Sequence, residues 1–309
     1  MGLLKYSSIE NSYQNKYIDM FRKHYDQIDN ETYIIQEKLD GANISLYFFP
    51  DGEFKIASRN KFIEKDENFF DVWNVIKSDT YKELIEHCFE LIYQNNCVII
   101  IYGELYGRGV QNRIDYGPNK YFSLFDMTVH FLDDDNITNI SQFSIRSNPI
   151  LSKYMVESYA IVTGLDTALE YKPDNFDEIE GVVIKPYFEV YKSPQGSVFY
   201  LKNKNPKFTE KEKKKPKVQK ENKFSDEVNE MGTLFGTYVN ENRVLSIFSK
   251  EGEIQDTNDI GKYIKLVLED AKEDFFKEND FDETKFDKNE LKYIFNHSGK
   301  IVNILKKYL

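Results

Sequence analysis

The sequence predicts an α+β fold with antiparallel sheets, followed by a small all-helical region. Strand-like segments outnumber helices over the first two hundred residues and do not alternate regularly with them, which argues against a doubly wound sheet. A lysine-rich stretch with two prolines then interrupts the apolar pattern. The segments beyond it have helical periodicity.

The first elements are a helix and three strands. Residues 8–24 have an amphipathic pattern behind a serine cap. TYIIQE (32–37) and NISLYFF (43–49) are strand-like, and KLDGA joins them. FKIAS (54–58) is the third strand, after the turn at residues 50–52.

The next elements are a helix and four strands. Residues 79–94 repeat apolar side chains at helical spacing. CVIIIYGELY (97–106) is typical of a buried strand, and KYFSLFDMTVHFL (120–132) is another. IEGVVIKPY (179–187) and VFYLKNK (198–204) complete the strand-rich part.

The lysine-rich stretch marks a domain boundary. Residues 202–223 contain ten lysines and three glutamates, which is typical of a solvated linker or basic arm. Helices are expected at residues 261–276 and 289–309. The predicted divisions are residues 1–205, a linker at 206–225, and a helical domain at 226–309.

Composition excludes several classes of protein. The net charge of −11 argues against generic polyanion binding, although a local groove potential can still attract a polyanion. Two cysteines, Cys88 and Cys97, and four scattered histidines have no zinc-site spacing and predict buried, reduced thiols. No apolar run approaches about 18 residues, and no signal-peptide profile is present, so we expect an intracellular protein that is not membrane-bound.

The segment EKLDGAN (37–43) is the most informative one. Lys38 sits at a predicted strand end, where a rigid backbone can hold its amine close to an electrophile. Gly41 permits a tight turn behind it. To act as a nucleophile, the amine must lose its proton, which requires cationic neighbours or desolvation. The alternative is a hairpin with a solvated lysine.

Five further segments place a charged or aromatic side chain on or beside a predicted strand. Carboxylates at strand ends suit a divalent metal, and converging lysines suit a triphosphate, although each residue alone could be an ordinary strand-edge charge. In chain order the segments are SRNKF (58–62) with Arg59, IYGELYG (101–107) with Glu104, FSLFD (122–126) with Phe125, EGVVIKP (180–186) with Glu180 and Lys185, and LKNK (201–204) with Lys202 and Lys204.

This ordered set resembles the RNA ligase 2 family of the covalent nucleotidyltransferase superfamily, which also contains DNA ligases and capping enzymes. The resemblance covers nearly the whole chain. It includes KYSSIENSY (5–13), GRGVQNRIDYG (107–117), KNKNPKFTEKEKKK (202–215), YVNENRV and SKEGEI (within 238–254). It implies an antiparallel-sheet nucleotidyltransferase domain of the ATP-grasp-like ligase type. The implied enzyme seals RNA 3′-hydroxyl and 5′-phosphate ends, preferably at nicks in duplex RNA.

The resemblance also implies residue roles. Lys38 would attack the ATP α-phosphate, carry AMP, and pass it to the RNA 5′-phosphate, giving an AMP-RNA intermediate. Phe125 would stack on adenine, while Lys202 and Lys204 would grip the α-phosphate and favour the neutral Lys38 amine. The remaining implied roles are nucleotide binding by Glu37, Asn43, Arg59, Glu104 and Glu180, Mg²⁺ or Mn²⁺ binding by Glu104 and Glu180, and RNA-end contacts by Asn43, Arg59, Phe69 and Phe70. Core packing is the alternative for Phe69 and Phe70.

The chain also departs from the family pattern. Asp40 stands where the type member of the family has a histidine, and the stretch between about 133 and 178 is shorter. A DNA ligase or capping enzyme remains an alternative, but either usually carries a C-terminal OB-fold with five short strands. An inactive RNA-binding module would not need the reactive lysine set. We expect a monomer in the cytoplasm, or in the host cytoplasm for a phage- or virus-encoded protein.

Overall fold

The computed structural model describes residues 1–111, 113–132, 137–209 and 224–309. These residues divide into two units, Met1–Lys207 and Phe208–Leu309. Most of the predicted lysine-rich linker, residues 210–223, lies outside the described residues.

The first unit contains both sheets. Its elements in chain order are β1 (Glu10–Asn11), α1 (Asn15–Arg22), β2 (Thr32–Glu37), β3 (Gly41–Phe48), β4 (Phe54–Ser58), β5 (Phe62–Ile63), α2 (Val72–Ile76), α3 (Lys82–Asn95), β6 (Cys97–Gly107), β7 (Lys120–Phe131), β8 (Ile137–Asn139), α4 (Gln142–Ser147), β9 (Ser158–Thr163), α5 (Leu165–Glu170), β10 (Gly181–Pro186) and β11 (Leu201–Lys204).

One sheet has the order β1-β11-β10-β2-β9, and the other has the order β5-β4-β3-β6-β7-β8. The strand pairs are antiparallel except β1 with β11. The predicted α+β class with antiparallel sheets is therefore confirmed. Because β2 and β3 belong to different sheets, the three residues Lys38 to Asp40 pass from one sheet to the other.

Alternating side chains explain how the six-stranded sheet packs. Ile44 and Leu46 of β3 belong to the same buried cluster as Leu84 and Cys88 of α3. Tyr47, which directly follows Leu46, belongs to a second cluster on the opposite face. Both cysteines are free and buried, as the sequence predicted.

The predicted helix at residues 8–24 is wrong over its first half. The helix begins at Asn15, and Glu10–Asn11 forms β1 instead. The backbone N–H of Glu10 donates to the Tyr200 carbonyl at 3.1 Å, and Ser12 N–H donates to Lys202 O at 2.9 Å. These long-range hydrogen bonds override the local helical pattern.

Within residues 224–309, every regular element of the second unit is a helix. Its helices are α6 (Asp226–Gly236), α7 (Glu241–Glu251), α8 (Ile260–Asn279), α9 (Lys288–Phe295) and α10 (Ser298–Leu305). The single helix predicted at 289–309 is wrong, because Asn296 leaves the helical conformation at φ −85° and ψ 84°. The break lets Phe295 and Ile301 enter one apolar core. No helix among the described residues is both long enough and apolar enough to cross a bilayer.

Candidate active site

Lys38 is fixed at the end of β2 by the strand beside it. Its backbone N–H donates to the Gly181 carbonyl at 2.9 Å. Gly181 cannot be replaced without a shift, because a Cβ there would lie 2.3 Å from the Asn203 carbonyl oxygen. This close approach holds β2, β10 and β11 side by side at the ends where Lys38, Glu180 and Lys204 lie. The Lys38 ammonium donates to Glu180 Oε2 at 2.6 Å.

Glu180 is a buried carboxylate held between two lysines. Lys38 contacts one oxygen, and Lys204 Nζ lies 2.9 Å from the other. Burial would raise the pKa of Glu180, but Lys204, Lys38 and Arg113 together lower it to about 2. Glu180 therefore stays ionised at neutral pH and keeps both amines at fixed positions.

The six-stranded sheet contributes Asn43 and Glu104, which lie opposite each other on β3 and β6. Burial is the main reason that the pKa of Glu104 rises to about 8, with Glu180 and Asp40 adding to the rise and Lys38 opposing it. Asn43 Oδ1 is buried and has no hydrogen-bond partner within the part of the chain that the structure describes. Such an orphaned acceptor suits a site that is completed by a bound group.

A divalent cation fits this donor set only together with a phosphate-bearing substrate. The described ranges hold no group of three or more His, Cys, Asp or Glu side chains that could enclose a metal. Glu104, Glu180 and Asp40 all interact electrostatically with Lys38, but both Asp40 oxygens already contact Arg113, so Glu104 and Glu180 are the candidate metal ligands. Mg²⁺ usually binds through one or two carboxylates, several waters and substrate phosphates, so two carboxylates suffice.

Phe125 owes its position to a bulge in β7. Tyr102 pairs with Asp126 and Gly103 pairs with Leu124, so Phe125 is left without a partner in the ladder. Its ring lies 4.9 Å from that of Tyr6. A bulge frees the backbone carbonyl and turns the side chain out of the regular alternation.

Lys185 is the residue that uses this carbonyl. Its ammonium donates to Phe125 O at 2.8 Å, and Gln142 Nε2 donates to the same oxygen at 3.0 Å. Lys185 is 1% exposed and pairs with Asp126 at 3.4 Å. The sequence predicts Lys185 and Glu180 at opposite ends of one strand. In the structure Lys185 lies in β10, which begins directly after Glu180 in the chain, and its ammonium contacts the Phe125 carbonyl. Sequence analysis missed Gln142 and Asp126, although Asp126 directly follows Phe125.

The other predicted nucleotide-binding residues surround this centre. Glu37 ends β2 opposite Val182, and burial together with Glu157 raises its pKa. Arg59 donates to Ser8 Oγ at 3.2 Å, and its charge acts on Glu104. Lys202 precedes Lys204 by two residues on β11 and so shares its face.

Phe69 and Phe70 are core residues in this structure. Their exposures are 1% and 9%, and they belong to the main apolar cluster of the six-stranded sheet. Their rings meet edge to face at 5.0 Å. This burial favours the packing alternative over direct contact with an RNA end.

Asp40 and Arg113 form a contact that the sequence did not predict. Arg113 lies in the segment GRGVQNRIDYG, which carried part of the resemblance but no assigned role. Its Nε donates to Asp40 Oδ2 at 3.0 Å, and its Nη2 contacts Oδ1. No local pattern indicates a pair whose members are 73 residues apart.

Comparisons with known proteins find similarity over both units. A family model described as RNA ligase matches residues 31–204, and one described as T4 RNA ligase 2 C-terminal matches residues 220–303. Solved structures of a Naegleria gruberi RNA ligase are also similar. The form with pyrophosphate is 16% identical to this chain, with a TM-score of 0.45. The match covers 67% of this chain and 57% of that protein. A variant with ATP and manganese is 15% identical, with a TM-score of 0.45, and the match covers 67% of this chain and 58% of that protein. The chain thus spans less than two thirds of the length of these relatives.

Proposed function

Because the chain belongs to the RNA ligase family, we propose that it is an ATP-dependent RNA ligase that acts through a covalent Lys38–AMP intermediate. Its substrates are RNA 3′-hydroxyl and 5′-phosphate ends, with nicked duplex RNA as the preferred form. The observation that carries the proposal is the contact of the buried Glu180 carboxylate with Lys38 and Lys204, assembled at the ends of three neighbouring strands of one sheet.

This contact suits a lysine that must change its charge during the reaction. In the first step Lys38 Nζ, as the free amine, attacks the α-phosphorus of ATP. A P–N bond forms, the amine nitrogen releases one proton to solvent, the bond between the α-phosphorus and the β-phosphate oxygen breaks, and pyrophosphate leaves. When Lys38 loses its proton, Glu180 keeps Lys204 as a partner, so no buried carboxylate is left without a cation.

The second step transfers AMP from the lysine nitrogen to an RNA oxygen, and the third step releases it. The RNA 5′-phosphate oxygen displaces Lys38 from phosphorus and yields AMP-RNA together with the lysine amine. The 3′-hydroxyl then attacks the 5′-phosphorus, loses its proton, and expels AMP to leave a phosphodiester. Mg²⁺ or Mn²⁺ held by Glu104 and Glu180 would offset negative charge on the phosphates.

Other residues would serve binding in this scheme. Phe125 would present its ring to adenine, with its backbone fixed by Lys185 and Gln142. Arg59, and Asn43 through its side-chain N–H groups, would bind phosphate groups. The second unit would handle RNA ends, and its described part contains helices where a DNA ligase or capping enzyme usually has a β-barrel.

The test is covalent labelling. The protein is incubated with ATP labelled at the α-phosphate and with Mg²⁺, and the labelled residue is mapped by mass spectrometry. We expect a single site at Lys38, no label on Lys38→Ala, and none on Lys38→Arg, because a guanidinium stays protonated. Exposed Lys23→Ala is the matched control and should label normally.

The labelled protein is then offered nicked RNA, nicked DNA and single-stranded RNA in parallel. Sealing of the RNA nick in preference to the other two supports the proposed substrate. Label on the Lys38 variants, or on another lysine of the wild-type protein, would overturn the assignment of the nucleophile. Sealing of the DNA nick alone would overturn the substrate.

A further inference from the structure

The turn that carries Lys38 is held from a second side by the segment after β6. Asp40 follows Lys38 by two residues, and its side chain is 1% exposed. Arg113 contacts both of its carboxylate oxygens. The Asp40 backbone N–H also donates to the Tyr116 hydroxyl at 2.9 Å. One segment thus holds both the side chain and the backbone of Asp40.

The surroundings leave this turn little freedom. A Cβ on Gly41 would lie 2.2 Å from the Leu105 carbonyl oxygen, so the backbone after Asp40 runs directly against β6. The Tyr116 ring packs edge to face on Tyr106 at 5.0 Å. Because β6 also carries Glu104, the strand that packs against Gly41 and Tyr116 is the strand of the candidate metal ligand.

Arg113 also determines which carboxylates remain available to Lys38. Asp40 and Glu180 are both buried near the Lys38 ammonium, and their charges interact with it. An anion that is buried without a partner is strongly unfavourable, so Asp40 without Arg113 would recruit the nearest cation. The nearest side-chain cation in its own turn is Lys38, which would then move away from its position against Glu180.

We propose that Arg113 is a positioning residue for the reaction of Lys38: by occupying both oxygens of Asp40, it keeps the lysine in contact with Glu180 instead of Asp40. This inference rests on the proposed function, since it concerns the rate of AMP transfer to Lys38. Arg113 touches neither the nucleotide nor the reacting atoms in this scheme. It acts through Asp40 and the turn.

The proposal makes a non-additive prediction. Arg113→Gln leaves Asp40 as a buried carboxylate without its partner, and we expect at least about a tenfold loss in the maximal rate of self-adenylylation. The double variant Asp40→Asn, Arg113→Gln removes both charges and keeps polar amide groups at both positions. It should therefore react faster than Arg113→Gln alone, because breaking a buried pair costs more than replacing it.

The measurement is the single-turnover rate of labelling by ATP over a range of ATP concentrations with saturating Mg²⁺. It uses the full-length protein, well below the unfolding midpoint of each variant. We expect the maximal rate to change while the half-saturating ATP concentration stays within about threefold. Arg113→Lys keeps the charge but not the two-pronged contact, and should lie between the wild type and Arg113→Gln. Arg22→Gln, which breaks exposed ion pairs with Asp19 and Asp29, is the matched control.

Three results would overturn the inference. They are a wild-type maximal rate for folded Arg113→Gln, a change confined to the ATP concentration dependence, and a double variant slower than Arg113→Gln. If Arg113→Gln does not fold, Arg113→Lys decides: a wild-type maximal rate for folded Arg113→Lys overturns the inference, and a reduced maximal rate supports it. Failure of the proposed function itself looks different, since the wild type would then not label, or Lys38→Ala would label.

Discussion

Removing Lys204 should slow the reaction of Lys38 with ATP without removing the nucleophile. Lys204 Nζ lies 2.9 Å from Glu180 Oε1, and the Lys204 side chain is only 8% exposed. Lys204→Ala leaves Glu180 with Lys38 as its remaining lysine partner in this contact. When Lys38 then loses its proton and attacks ATP, the buried Glu180 carboxylate would have neither lysine cation beside it.

The size of the effect follows from the burial and the distance. Two unit charges about 4 Å apart near a protein surface interact by about 4 kcal/mol at an effective dielectric constant of about 20. Losing one preorganised electrostatic contact typically costs about 10²- to 10³-fold in rate. We therefore expect self-adenylylation by Lys204→Ala to fall by about 10²-fold or more. Lys202→Ala should act in the same direction, because Lys202 shares the face of Lys204.

The assay compares single-turnover labelling by ATP in three variants. Lys207→Ala is the matched control, because Lys207 is exposed and its ammonium donates to the Asp177 carbonyl at 2.9 Å, away from Glu180. Its rate should stay close to that of the wild type. Equal losses in Lys202→Ala, Lys204→Ala and Lys207→Ala would refute the reasoning, since they would indicate a general basic patch.

Four further predictions concern stability and the division of labour. Phe69→Ala should destabilise the protein by about 3–5 kcal/mol in denaturant unfolding, because its ring is buried in the core, and a normal unfolding midpoint would contradict the packing role. Without ATP and metal, the stability contributed by Glu180 should be present above about pH 4.5 and lost as pH falls through about 2, because its pKa is lowered in the folded state. Glu104 has the opposite sign: its pKa is raised to about 8, so the free energy of unfolding should decrease as pH rises from about 4.5 to 8, and Glu104→Gln should abolish that decrease in urea titrations. A chain that ends at residue 225 should still label itself with AMP but seal a 5′-phosphate nick poorly, and full-rate sealing at matched labelling would show that the helical unit is dispensable.

Local pattern in the sequence was enough to predict the elements that carry most of the candidate site. The observed β2, β4 and β6 lie within about one residue of the segments predicted from their apolar runs. These strands are short and buried on at least one face, so residue type and period identify them without knowledge of their neighbours. The same holds for the helical character of the second unit.

Only the tertiary structure decided how those elements meet. Lys38 and Glu180 are 142 residues apart, and Arg113 is 73 residues from Asp40. The chain near Glu10 forms a strand because β11 offers it a free edge. Neither the Lys38–Glu180 contact nor the Arg113–Asp40 contact has a local sequence signature, because many other positions could bear the same residue types.

The bulge at Phe125 illustrates why strand pairing cannot be predicted from local sequence. A strand with this sequence could pair in regular register, and the period of its side chains does not say where an extra residue is accommodated. The buried ammonium of Lys185 needs an acceptor, and the unpaired carbonyl at the bulge provides one at 2.8 Å. Residue types determine which elements form, whereas pairing, register and the partners of buried charges are set by the free energy of the whole fold.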